Sequence, residues 1–172
     1  MTDSLRKLSD DEARELESFL SDSGKPFQSI EKAEDFFFAQ CEKDLEEINL
    51  LNTRYPELDL DLKATSLLRL ERFYFDCYVN NKISTDISKE RFEELMTQYM
   101  RHVFVYNEMA EWAVFENDFA EGRYDFGLLY GYGSGTTEHY ADELDNTPDN
   151  PGHDYLYKHF MLYVPEERAG EV

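Results

Sequence analysis

Between Ile30 and Tyr55, apolar side chains recur every three or four residues: Ile30, Ala33, Phe37, Cys41, Leu45, Ile48, Leu51 and Tyr55. That spacing draws one apolar stripe along a helix over residues 29–53, with Glu31, Glu34, Asp35, Glu42, Glu46 and Glu47 on its other faces and Pro56 as its stop. Ahead of it, Ser9 followed three residues later by Glu12 makes a capping box and opens a shorter helix over residues 10–22. Ser23-Gly24-Lys25-Pro26 ends that helix, because glycine suits a left-handed exit and proline restricts the residue before it.

Leu58, Leu60 and Leu62 alternate with aspartates, the mark of a brief extended piece, before Leu67, Leu70, Tyr74, Cys77 and Tyr78 restore a helical register. A third helix is therefore predicted over residues 62–79. Its last eight residues, 72–79, are apolar nearly all round, which places it between other elements. From Ser88 to Phe119, the residues Phe92, Leu95, Tyr99, Val103, Tyr106, Ala110, Ala113 and Val114 continue in helical spacing. The stretch reads as one kinked helix or two, and from Met96 onward it is apolar on several faces, as a central element would be.

The pattern changes after Glu121. Six of the eight glycines lie between residues 122 and 152, with Pro148 and Pro151, and aromatic residues alternate with them through Tyr124–Tyr132. Such a segment is loop-rich, with a short strand pair between residues 123–132 and 155–164, although residues 155–164 fit a helix equally well. The expected fold is mainly α: a four-to-five-helix bundle over residues 1–119 with a Gly/Tyr/Asp-rich extension, 120–172, packed on it as one domain. A chain of 172 residues can bury about 70% of its unfolded surface, so one core suffices.

Charge sharpens this picture. The chain holds 38 acidic and 17 basic side chains, a net charge of −21. Residues 1–61 carry 17 acids against 7 bases and residues 116–172 carry 13 against 3, whereas 62–115 are nearly balanced at 8 against 7. Two acidic wings flank a near-neutral middle. With 13 Phe and 12 Tyr the chain is too rich in large aromatics for a disordered acidic tail, so the acidity decorates a folded object. Such a field repels nucleic acid and anionic membranes and attracts basic surfaces.

Catalytic and metal motifs are weak. The Gly131-Tyr132-Gly133-Ser134-Gly135-Thr136-Thr137 stretch lacks the Gly-Lys pair of a phosphate loop and the spacing of a dinucleotide site, and Tyr132 stands where a nucleophile elbow needs glycine. It reads as a turn. His139 and Glu143 would stack on a helix, with His153 able to return nearby, but neither zinc-hydrolase nor calcium-loop spacing is met. A small enzyme or metal protein using His139 or His153 with Asp142, Glu143 and the Gly131–Gly135 loop is the alternative reading. His102, beside Arg101 on the central element, suits a structural hydrogen-bonding role. Cys41 and Cys77 fall in apolar positions and suit small core residues, a disulfide between them being the other option. No signal-like segment and no run near ~18 apolar residues is present, which favours a cytoplasmic, soluble protein.

What remains is recognition. Tyrosine offers stiff contact area with a polar tip, and carboxylates steer and pair with the Arg and Lys of a partner. The expected contact set is Tyr124, Asp125, Tyr130, Tyr132, Asp142, Glu143, Asp145, Asp149, Asp154 and Tyr155. The expected function is an acidic inhibitor or immunity-type protein, without cofactor or direct nucleic-acid contact, that neutralises a basic protein partner, a nucleic-acid-acting one being an option, by steering and occlusion. The likeness to immunity proteins and nucleic-acid mimics is one of composition.

Overall fold

The computed structural model describes residues 27–116, 123–130, 133–135 and 154–170. Helix α1 spans Ile30–Arg54, α2 Ser66–Tyr74, α3 Lys89–Tyr106 and α4 Tyr155–Met161; strands β1 Ala110–Glu116, β2 Tyr124–Tyr130 and β3 Gly133–Gly135 form one antiparallel sheet in the order β1-β2-β3. The described part is mainly helical, with four helices and a hairpin. The helix expected over residues 10–22 lies outside the described residues.

The stripe on α1 is real but shifted. Ala33, Cys41, Ile48 and Leu51 are buried, Ile30 is exposed, and Asp44 is buried among them. A buried carboxylate needs partners, and Asp44 accepts from Arg91 on α3 at 2.7 Å and from Gln40 at 3.2 Å. Tyr55 closes the helix, and Pro56 starts a 3-10 turn over Pro56–Leu58, where its missing N–H is harmless.

The alternating leucines after Pro56 do not form a strand. They fill the core from an irregular link whose backbone groups are taken up by side chains: Asn52 Oδ1 accepts from Leu60 N–H at 2.9 Å, Tyr99 Oη accepts from Leu62 N–H at 2.9 Å, and Asn107 Nδ2 donates to Leu62 O at 2.9 Å. Leu62 sits at φ 62, so α2 begins at Ser66 and not at residue 62. Buried Leu67, Leu70, Phe73 and Tyr74 on α2, and Cys77 on the π-helical turn Phe75–Val79, bear out its placement between other elements.

Helix α3 is the centre. Ser88 caps it by accepting from Arg91 N–H, and Leu95, Met96, Thr97, Gln98, Tyr99 and Met100 are all buried in succession. It ends earlier than its pattern suggests. The helix expected to run to Phe119 stops at Tyr106, and residues 110–116 are strand β1. Met109 N–H donates to Phe104 O at 2.9 Å and Glu108 N–H to Val105 O at 3.0 Å, the paired bonds of a Schellman exit, with Glu108 at φ 58 in the left-handed position that glycine usually takes. Beyond it Ala110, Trp112 and Val114 alternate with Glu111, Ala113 and Phe115, a period of two.

The strand expected within 123–132 exists as β2, but its partner is β1, in register Ala110 with Tyr130 through Glu116 with Tyr124. Residues 155–161 are helix, the second of the two options for that stretch. Each β1 residue pairs with a partner 8 to 20 positions away, which local periodicity does not reveal. Within the stretch read as a turn, Gly133–Gly135 pairs with β2 as β3, Tyr130 lying opposite Gly133. Helix α4 docks through Leu156 and Phe160, the latter 4.9 Å from the Phe104 ring, and the buried Glu71 carboxylate accepts Leu156 N–H at 2.9 Å. Glu71 thus caps one of the orphan donors at the start of α4. No helix among the described residues is long and apolar enough to cross a membrane.

Candidate functional site

Beside the end of α3, a groove of about 660 Å³ opens where the Schellman exit meets the sheet. Val105, Met109, Ala110, Leu129, Tyr130, Tyr163 and Pro165 supply an apolar floor, and Glu108, Glu111 and Arg168 the charges. The floor is held from behind: Tyr130 stacks on Tyr163 at 4.8 Å and 27°, and Phe104 meets both rings edge-on at 5.4 and 5.3 Å. Arg168 donates to the Asn107 carbonyl at 3.1 Å, tying the C-terminal 3-10 turn Glu166–Arg168 to the end of α3. Neither Glu108 nor Glu111 forms an ion pair with a described residue. Carboxylates and tyrosine rings lining one groove suit an organic cation, which gains both from charge pairing and from contact with aromatic rings.

The other end of the hairpin carries a second constellation. Phe27 lies 5.4 Å from Phe36, 5.7 Å from Phe37 and 6.2 Å from Tyr124. Phe37 stacks on Phe126 at 5.1 Å and 5°, Phe126 stacks on Trp112 at 5.1 Å and 9°, and Trp112 meets His102 edge-on at 5.1 Å. Phe38 touches Phe126 edge-on at 5.8 Å. A continuous row of rings therefore runs from solvent inward. Its inner end is His102, whose pKa is lowered, first by burial, with a hydrogen bond to the Cys41 backbone opposing that shift. The structural role expected for His102 fits this position.

The expected contact residues scatter. Tyr124 and Asp125 lie at the α1 end of the hairpin and Tyr130 in the groove, about 20 Å away along β2 at ~3.3 Å per residue. Asp154 and Tyr155 start α4, where Asp154 pairs with Lys158 at 2.9 Å and the Tyr155 ring faces His159 at 6.2 Å. Tyr132, Asp142, Glu143, Asp145 and Asp149 lie outside the described residues, as do His139 and His153 of the metal reading and Gly131 of the loop. Among the described residues no group of three or more His, Cys, Asp or Glu is placed to hold a metal ion. Cys41 and Cys77 are both buried free thiols.

Sequence reasoning passed over Glu108 and Glu111, and of the run Phe36-Phe37-Phe38 it used only Phe37, as part of the α1 stripe. The run carried a usable signal. Three consecutive residues on a helix span about 200°, so they cannot all face one core.

A family model described as "Uncharacterised protein YwmA" matches residues 26–164. The chain belongs to the YwmA family. The YwmA match takes in all four helices, the hairpin and most of the groove, leaving out only Pro165 and Arg168 of its lining. No curated protein and no solved structure matches the chain.

Proposed function

We propose that this chain is an acidic binding protein whose partner is a basic protein, anchored by a lysine or arginine side chain in the groove beside α3. The observation that carries the reading is the pair of carboxylates, Glu108 and Glu111, with no ion partner among the described residues, lining the same groove as the stacked Tyr130–Tyr163 rings. A charge of −21 steers basic partners from a distance, and the groove gives the encounter a place to end. The same carboxylates support occlusion of the partner's cationic surface, as an inhibitor or immunity-type protein would achieve, by taking the place of the phosphate that surface would otherwise meet. The protein would be soluble, and its action needs no cofactor.

The test uses an acetylated hexa-arginine peptide as probe, titrated calorimetrically against the full chain. E108Q/E111Q is compared with E46Q/E57Q, which removes two exposed carboxylates that do not line the groove and changes net charge equally. The expected result is a loss of about tenfold for the groove variant and a much smaller one for the control. Equal losses would mean that the field acts without the groove, and the reading would be abandoned.

A further inference from the structure

We infer that the C-terminal turn Glu166–Arg168 is an autoinhibitory strap on the groove: Arg168 holds the end of α3 beside Glu108 until an arginine of the partner displaces it. This rests on the groove reading and adds a regulation to it. Arg168 and Pro165 line the same groove as Glu108 and Glu111, and Arg168 Nη2 donates to the Asn107 carbonyl at 3.1 Å. Asn107 is the residue that ends α3. A carbonyl at a helix C-terminus lacks an intrahelical donor and stands at the negative end of the helix dipole, so it attracts a cation. The peptide bond that carries this carbonyl runs directly into Glu108. The chain therefore keeps a guanidinium of its own at the rim of the proposed cation site, seated on the carbonyl and not on the two carboxylates.

The hold is one that can yield. The turn Glu166–Arg168 buries no residue, and Glu166 and Glu167 are exposed. Segments with so little burial open at low free energy, and a net hydrogen bond is worth about fivefold in such an equilibrium. The exchange also conserves its chemistry, because the guanidinium that enters can remake the bond that the departing one breaks. A tethered occupant competes at an effective concentration of about millimolar. A lone arginine is thereby kept out, while a partner bearing several cations, gathered by the charge of −21, displaces the strap.

The test titrates the hexa-arginine peptide against the full chain, with R168A beside K43A. Lys43 is exposed and does not line the groove, so K43A changes net charge as R168A does and leaves the strap in place. R168A should bind about fivefold tighter than wild type, and K43A less than about twofold tighter. A second measurement follows the strap itself. The Arg168 and Ala169 N–H groups donate to the Pro165 and Glu166 carbonyls at 2.9 and 3.3 Å, and their hydrogen exchange in the wild-type chain should quicken at saturating peptide, as a released turn frays. The strap is refuted if R168A binds no tighter than K43A, or if exchange at Arg168 and Ala169 fails to quicken. Neither result touches the loss caused by E108Q/E111Q, so the groove reading would survive it. Equal losses in E108Q/E111Q and E46Q/E57Q would instead remove the groove reading and the strap together.

Discussion

Replacing Glu108 by glycine should make the protein more stable while weakening its hold on cations. Among the described residues, four that are not glycine have positive φ: Asp59, Leu62, Asn81 and Glu108. Asp and Asn tolerate that region, and Leu62 is held there by Tyr99 and Asn107 on its N–H and C=O. Glu108 has no such side-chain support, since it is exposed and makes no ion pair with a described residue. A left-handed conformation costs an L-residue about 1–2 kcal/mol. Glycine removes that strain but adds about 0.5–1 kcal/mol of backbone entropy to the unfolded chain. The net gain for E108G is then about 0.5–1 kcal/mol, or roughly 1–4 °C in Tm for a chain of this size. Removing a negative charge from a helix C-terminus also helps, so E108A is the necessary control: it removes the carboxylate and keeps the Cβ. Urea denaturation of wild type, E108A and E108G should order them with glycine highest, the glycine-minus-alanine difference isolating the strain. Both variants should lose affinity for hexa-arginine. If E108G is no more stable than E108A, the strain argument is wrong, and glutamate at this position needs no functional reason.

Other perturbations test the scaffold. Arg91 bridges Asp44 and Glu47 on α1, each at 2.7 Å, and Glu94 at 2.8 Å; its pKa is raised, first by the bond to Glu47, with burial opposing. The Glu47 and Glu94 carboxylates are 38% and 63% exposed and contribute little, whereas the Asp44 side chain is 11% exposed. R91A should therefore cost about 2 kcal/mol in urea melts, mostly from stranding Asp44, and D44N/R91A should recover part of it. E71L removes the acceptor for Leu156 N–H, and should cost about 1–3 kcal/mol and lower hydrogen-exchange protection in α4 well before α1. The thiols of Cys41 and Cys77 are pushed up from 9.0 to about 11, in both cases chiefly by burial. A raised folded-state pKa means that the unfolded chain releases its protons first, so stability is full below pH 9 and declines toward pH 11. C41A/C77A should flatten that alkaline slope; an unchanged slope would assign it elsewhere, Tyr78 being raised to about 12 by burial.

The helices that were legible are those whose burial repeats in their own sequence. On α1 most of the stripe could be read directly; the burial of Asp44 could not, because the Arg91 that satisfies it lies 47 positions away. The central role of α3 was visible in its lack of a polar face. The hairpin was hidden because Tyr106, Ala110, Ala113 and Val114 happen to fit helical spacing, while the alternation of Ala110, Trp112 and Val114 spans too few residues to win. Its stop signal was also disguised. A glycine at position 108 would have announced the end of α3, and the chain has glutamate there. The groove was illegible for the related reason that its lining comes from residues 105–111, 129–130 and 163–168, which only the sheet and α4 bring together.

The residue that concealed the helix end is the same one that faces the groove, and a local rule broken without visible compensation is where a functional constraint is expected. Charge alone would not require it. The described residues hold 23 acids against 13 bases, a surplus of 10, and many sites would serve equally well for long-range attraction. Steering acts through the whole field and fades over a Debye length of about 10 Å at 0.1 M salt, whereas an anchored contact over aromatic rings is screened less. The two contributions therefore separate kinetically. Added salt should slow association in every variant, and E108Q/E111Q should mainly hasten dissociation, because that pair is a small part of the field and a large part of the seat.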